Sequence, residues 1–136
     1  QAAGETARNL AVASGDWTAK SGKELCAAQL SQYGRDIEII FCGGEFMTRG
    51  ALEAVEEGGW IPGQDVYLIG MDAEQALLGA VAEGKIAGTV CRDPAAQTER
   101  ILTAVQMLLK KGEPEKLQYE TLDTVVQETA KTLLGE

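Results

Sequence analysis

The chain has 136 residues and carries 12 basic and 21 acidic side chains, which give a formal net charge of −9. A chain of this length forms one domain or part of one, because domains cluster at about 100 to 150 residues. The acidic excess repels phosphate groups, so we expect no nucleic-acid partner, and no apolar run approaches the roughly 20 residues that a membrane-spanning helix needs.

Four short apolar runs are the predicted strands. They end in small residues and are continuous rather than alternating, which is typical of strands that are buried on both faces. Segments with apolar residues at helical spacing lie between them, and this alternation predicts an α/β fold. We expect an open, mostly parallel sheet with helices on both faces. The predicted strands are residues 10–14, 37–42, 66–70 and 87–91.

Four helices are predicted in the same order along the chain. Apolar side chains recur at helical spacing within residues 22–33, 47–55, 77–81 and 101–109. Asp72 and Asp93 precede the third and fourth helices as candidate N-caps, and glycines at positions 58, 59 and 112 mark helix ends. After them we expect an extended segment at residues 117–126 and a short final helix at residues 128–134.

The residues that follow the predicted strands form the candidate site. In an open parallel sheet the carboxyl ends of the strands meet at one crevice, where backbone amides and helix N-termini converge on ligands. We therefore expect acidic side chains, an arginine and an indole to lie along one rim of this sheet. The candidate ligand-binding residues are Trp17, Gly44, Glu45, Asp72 and Arg92.

Each of these side chains also has a purely structural interpretation. Asp72, like Asp93, is well placed to cap a helix, which contributes about 1 kcal/mol whether or not a ligand binds. Glu45 near a helix start interacts favourably with the helix dipole, and Trp17 packs on its neighbours. In this interpretation Arg92 pairs with Glu45 or with Asp72.

The sequence lacks the patterns of common catalytic sites. No Walker loop or dinucleotide fingerprint follows the glycines at 43 and 44, and the chain has no histidine. The cysteines at 26, 42 and 91 are too widely spaced for a zinc site, so we expect free thiols. We predict no catalytic residue, no metal and no cofactor. A small α/β enzyme that uses Glu45 and Asp72 as an acid–base pair is the remaining enzymatic alternative.

Several segments resemble motifs of the type I periplasmic sugar-binding proteins, the ribose-binding-like group. Residues 41–51 are similar to that family's Phe-Ala-x-Asn-Asp-x-x-Ala-x-Gly-Ala motif, and residues 58–72 to its Gly-x-x-x-Pro-x-Asp-Val-x-Val-x-Gly-Phe-Asp motif. Residues 83–94 resemble its Gly-Lys-x-x-Ala-Thr-Val-x-Gln-x-Pro motif, and residues 124–134 its terminal segment. These segments occur in the order in which the family has them.

The resemblance also assigns residues to a ligand site. The family's ligand-contacting Asn falls on Gly44, the next acid on Glu45, the Gly-Phe-Asp carboxylate on Asp72, and the Gln before the proline on Arg92. Only Asp72 is unchanged, and in such proteins this acid accepts hydrogen bonds from sugar hydroxyls. The Arg92 guanidinium indicates an anionic or carbonyl group on the ligand, unless Arg92 neutralises Asp72. The implied ligand is a sugar, a sugar acid or a polyol.

The resemblance implies that the chain is the C-terminal lobe of a two-lobed protein. Residues 1–136 would then be a single partial domain, with 117–136 as the final crossing segment, and the lobe's first strand, central in a 2-1-3-4-5 order, would precede Gln1. A partner chain, a swapped segment such as residues 117–126, or another piece of the same polypeptide would fill the gap. We therefore expect self-association or domain swapping.

Two functions follow from the resemblance. The first is a solute-binding protein of an ABC uptake system, which closes on its ligand and docks on a membrane permease. Its location would be periplasmic or extracellular, with lipoprotein attachment as one form. The alternative is the effector-sensing domain of a lac-repressor-type regulator, which shares the fold. A basic helix-turn-helix upstream would decide for the regulator, whereas the run at residues 83–90 favours transport.

Overall fold

The computed structural model describes residues 8–72, 74–114 and 122–135. Helices and strands alternate in these ranges, as the sequence pattern predicts. The helices are α1 (Ala19–Tyr33), α2 (Glu45–Glu57), α3 (Gln75–Ala82), α4 (Pro94–Leu109) and α5 (Gln127–Leu134), with a 3-10 turn at Gly34–Asp36. The strands are β1 (Ile39–Phe41), β2 (Tyr67–Ile69), β3 (Thr89–Cys91) and β4 (Asp123–Val125).

The strands lie in the order β1-β2-β3-β4. Strands β1 and β2 are parallel, with Ile39 opposite Tyr67, and β2 continues to the start of β3 through a parallel bridge between Ile69 and Gly88. Strand β4 runs antiparallel to β3. The predicted mostly parallel α/β arrangement is therefore confirmed, and the strands predicted at 37–42, 66–70 and 87–91 are present in shortened form.

The strand predicted at residues 10–14 is wrong. The structure assigns no strand to this segment, and four of its five residues, 11–14, are exposed. A strand exists only as part of a hydrogen-bonded ladder. Within the described ranges, β1 has a neighbour on one edge only, which is β2, and no strand pairs with residues 10–14. The apolar run alone could not reveal that its ladder partner is missing.

The extended segment predicted at residues 117–126 is partly observed. Residues 117–121 lie outside the described residues, whereas Asp123–Val125 forms β4. Strand β4 pairs with β3, at the opposite side of the sheet from the open edge of β1. Within the described residues, Asp123–Val125 therefore does not fill the gap beside β1.

The apolar positions of the helices and strands meet in one core. Helix α2 buries Ala51, Ala54 and Val55, whereas its acidic residues 53, 56 and 57 face solvent, as the helical spacing predicts. Strand β2 buries Leu68, and β4 buries Val125. The largest fully buried apolar side chains are Val55, Val66, Leu68, Leu77, Val81, Ile86 and Val125.

The backbones of helices α1 and α2 are in close contact at Gly22 and Gly50. A Cβ atom at Gly50 would lie 1.9 Å from the carbonyl oxygen of Ala19, and a Cβ atom at Gly22 would lie 2.4 Å from that of Met47. Both oxygen atoms belong to the backbone of the opposing helix, which cannot avoid a clash by changing a rotamer as a side chain can. Glycine at these two positions therefore sets the separation of the helices, and with it the relative position of their first residues.

Two apolar surfaces remain uncovered. Helix α4 has no buried residue, and Ile101, Leu102, Val105, Leu108 and Leu109 are exposed along it. On strands β1 and β2 the side chains of Ile39, Phe41 and Tyr67 are exposed as well. Surfaces of this kind mark contacts with other protein elements. Among the residues that the structure describes, no helix has the length and apolarity that crossing a membrane requires.

The helix contact predicts opposite effects for two Gly→Ala substitutions. Gly50→Ala places a methyl group against the Ala19 backbone, and we expect it to lower the free energy of unfolding by about 1–3 kcal/mol. Gly79→Ala, in α3, meets no atom within 4 Å and should raise it by up to about 1 kcal/mol through helix propensity. Urea unfolding followed by circular dichroism measures both, and a Gly50→Ala variant as stable as the parent would contradict the close packing.

Candidate functional site

A pocket of about 280 Å³ lies at the carboxyl ends of β1 and β2, beside the N-termini of α2 and α3. This is the rim at which the sequence pattern places the candidate site. Four of the five candidate residues line the pocket, and Arg92 does not. The lining residues are Trp17, Gly44, Glu45, Phe46, Met47, Asp72 and Glu74.

Trp17 and Gly44 form one wall. Trp17 has a φ angle of +57°, which a bulky residue rarely adopts, and its side chain is 70% exposed. It directly precedes Thr18, whose hydroxyl caps α1 by accepting a hydrogen bond from the Ser21 amide. A Cβ atom at Gly44 would lie 3.0 Å from the indole ring. The indole thus lies over the start of α2 with much of its surface open, and it does so because residue 44 has no side chain.

Glu45 is the first residue of α2 and is 5% exposed. Within the described part of the chain, its Oε1 atom is buried without a hydrogen-bond partner. Burial raises the pKa of Glu45, and the nearby charge of Glu74 raises it further, whereas Arg49 acts in the opposite direction. A buried carboxylate oxygen without a partner is costly in the free protein, and a hydrogen-bond donor on a ligand would satisfy it.

Hydrogen bonds with β3 fix the backbone position of Asp72. Its amide donates a hydrogen bond to the Val90 carbonyl over 2.9 Å, its own carbonyl accepts one from the Thr89 hydroxyl, and its φ angle is +71°. The predicted capping role of Asp72 is wrong, because α3 begins at Gln75 and Glu74 takes the N-cap position. The pairing with β3 leaves the Asp72 carboxylate at the pocket instead.

Arg92 lies behind Asp72. The distance from its Nη2 to Asp72 Oδ1 is 3.9 Å, and both side chains are about half exposed, at 49% and 44%. Such a pair contributes little to stability, but it places the guanidinium against Asp72 and not in the pocket lining. The predicted alternative in which Arg92 pairs with Asp72 is therefore observed, and no ion pair between Arg92 and Glu45 is seen in the described residues.

Asp93 has the structural role that its position predicts. Its Oδ1 accepts hydrogen bonds from the amides of Ala95 and Ala96 over 2.9 and 3.2 Å, so it caps α4. Asp93 does not line the pocket.

The structure adds pocket residues that the sequence analysis did not select. These residues are Glu74, Phe46 and Met47. Glu74 follows Asp72 by two positions, and the signal that points to it is its place at the start of the next helix. Among the described residues, the lining therefore contains carboxylates and an indole but no basic side chain. Carboxylate oxygens accept hydrogen bonds from hydroxyl groups, and an indole packs against apolar surface.

The family model and the curated relatives that match this chain describe periplasmic or sugar-binding proteins. The family model described as the periplasmic binding protein domain matches residues 3–114. The chain is 30% identical over 128 residues to the D-galactose/methyl-galactoside binding periplasmic protein MglB of Haemophilus influenzae, covering 93% of this chain and 38% of MglB. It is 27% identical over 121 residues to the galactofuranose-binding protein YtfQ of Escherichia coli, covering 87% of this chain and 38% of YtfQ.

A solved structure agrees with these relatives. The periplasmic binding protein component of the arabinose ABC transporter from Shewanella sp. ANA-3, bound to α- and β-L-arabinofuranose, matches with a TM-score of 0.74 and 27% identity. The match covers 89% of this chain and 40% of that protein. The chain thus spans 38% of the length of the two curated relatives.

These matches confirm the resemblance that the motifs indicate. The relatives are binding proteins, so the prediction of a protein that is not an enzyme is confirmed as well. The chain belongs to the periplasmic binding protein domain family, within its type I group of sugar-binding proteins.

Proposed function

We propose that this chain forms one side of a sugar-binding site in a two-lobed solute-binding protein. The observation that carries the proposal is the pocket that brings Trp17, Glu45 and Asp72 together at one edge of the sheet. Relatives named for galactose, galactofuranose and arabinofuranose support a sugar as the ligand. Because the chain spans only 38% of the curated relatives, residues outside it would cover the other side of the sugar.

The geometry supports a division of roles among these side chains. The open face of the Trp17 indole packs against the apolar C–H surface of a sugar ring. The Asp72 carboxylate, fixed by its backbone pairing with β3, accepts hydrogen bonds from ring hydroxyls. Arg92 stays behind Asp72, with its Nη2 3.9 Å from Asp72 Oδ1. A few polar groups in an otherwise apolar concave site give orientation and specificity.

Uptake through an ABC transporter is the function that the relatives support. The curated relatives are periplasmic or sugar-binding proteins, and one structural relative is named as a component of an arabinose ABC transporter. We therefore propose a periplasmic protein that delivers its sugar to a membrane permease, in preference to the effector-sensing domain of a regulator. Attachment as a lipoprotein is a further prediction.

The role of Asp72 is tested by a pair of matched substitutions. Asp72→Asn and Asp93→Asn make the same chemical change, but only Asp72 lines the pocket, and Asn at position 93 still caps α4. We expect Asp72→Asn to weaken the binding of D-galactose or L-arabinose by about tenfold, since a hydrogen bond to a charged group contributes about 1.5–3 kcal/mol. Asp93→Asn should leave the affinity unchanged.

The affinity of each variant is measured by titrating it with the sugar and following its NMR spectrum. The indole N–H of Trp17 reports on the pocket, whereas that of Trp60, which lies against Arg35 at 4.3 Å, serves as an internal control. Equal affinities in the two variants would show that the site is placed wrongly.

We also propose that the isolated chain self-associates through its uncovered apolar surfaces. Ile101→Glu combined with Leu108→Glu places two charges on α4, at positions two helical turns apart. Sedimentation velocity should show a molar mass that rises with concentration for the parent and less so for the double variant. Val12→Glu, at an exposed position outside these surfaces, is the control. A parent chain that is monomeric at every concentration would refute the proposal.

A further inference from the structure

The charged residues that line the pocket in the described part of the chain are all acidic. Glu45 enters from α2, Asp72 from the turn after β2, and Glu74 from the start of α3. The nearest basic groups lie outside the lining: Arg49 is on α2, and Arg92 is paired with Asp72. The amides at the start of α2 contribute only about half a positive charge, which is less than the charge of the carboxylates around them.

The decisive feature is the Glu45 side chain. It lines the pocket, it is 5% exposed, and its Oε1 atom has no partner within the described residues. The position before it is Gly44, where a Cβ atom would lie 3.0 Å from the Trp17 ring. In its ionised form the Glu45 carboxylate only accepts hydrogen bonds, so it favours a ligand group that donates them.

We propose that Glu45 is a specificity-determining residue that makes this pocket select hydrogen-bond-donating sugars, preferring a protonated amino sugar to its neutral parent and rejecting sugar acids. This inference rests on the proposed sugar-binding function. An ammonium group on the ligand forms a charge-assisted hydrogen bond to the unpartnered oxygen, whereas a carboxylate on the ligand is repelled by Glu45, Asp72 and Glu74 together. The position of Arg92, outside the lining and 3.9 Å from Asp72 Oδ1, also favours this selection over an anionic ligand anchored by Arg92.

Three ligands of one sugar test the selection. D-galactosamine replaces a hydroxyl of D-galactose with an amine that is largely protonated at pH 7, and D-galacturonate replaces a hydroxymethyl group with a carboxylate. Titration of the chain, followed at the Trp17 indole N–H, should give an affinity about tenfold higher for the amine than for galactose, and lower affinity for the acid. Glu45→Gln should bring the amine close to galactose, while Glu57→Gln, at the far end of α2, keeps the order unchanged.

The outcomes of this titration distinguish a failure of the inference from a failure of the proposed function. If galacturonate binds as well as galactosamine, or if Glu45→Gln keeps the preference for the amine, this inference is wrong while the proposed function stands. If none of the three sugars shifts the Trp17 signal, the proposed function fails and takes the inference with it.

The pH dependence of stability, measured without ligand, tests whether the buried Glu45 carboxylate lacks a partner in the fold. Burial, aided by Glu74, raises the pKa of Glu45 above its ordinary value of 4.5, so the folded state favours the protonated form. The charged form destabilises the fold above the raised pKa, and this effect disappears as the pH falls below about 4.5. Glu45→Gln should therefore be more stable than the parent at pH 7 in urea unfolding, with no gain near pH 4. A loss of stability at pH 7 would show that the fold itself satisfies the Glu45 charge, which contradicts the inference.

Discussion

The contact between α1 and α2 is the constraint on which the candidate site depends. The helices approach so closely at Gly22 and Gly50 that any side chain there would meet the opposing backbone. Because the backbones touch, the first turn of α1 is fixed relative to the first turn of α2. The residue before the α1 cap, Trp17, is thereby held over Gly44. One wall of the pocket is thus a product of helix packing.

The opposite wall is a product of the sheet. Pairing of the Asp72 backbone with β3 places its carboxylate at the pocket, and Arg92, which follows β3, comes to lie beside it. The two acids at the carboxyl ends of neighbouring strands therefore have different surroundings: Asp72 has a cation beside it, whereas Glu45 is buried with an oxygen that has no hydrogen-bond partner in the described ranges. We base the proposed roles on this asymmetry, with Asp72 orienting the ligand and Glu45 selecting it.

The uncovered surfaces and the one-sided pocket have the same physical origin. The described residues line the pocket from the segment before α1 and from the carboxyl ends of β1 and β2. In the same part of the chain, apolar side chains of α4, β1 and β2 are exposed. The chain spans 38% of the length of its curated relatives, so both features fit a lobe whose contacts extend beyond the residues it contains.

The sequence by itself determined the helices, three of the strands and the rim at which Trp17, Gly44, Glu45 and Asp72 meet. Apolar periodicity and caps such as Asp93 are local properties, and the parallel direction of the strands follows from their alternation with helices. Only the tertiary structure decided which acid caps a helix, which acid pairs with a basic side chain and whether residues 10–14 form a strand. Those outcomes depend on partners distant in sequence. The backbone of β3 positions Asp72, the side chain of Arg92 lies beside it, and a strand at residues 10–14 would need a neighbouring strand with which to form hydrogen bonds.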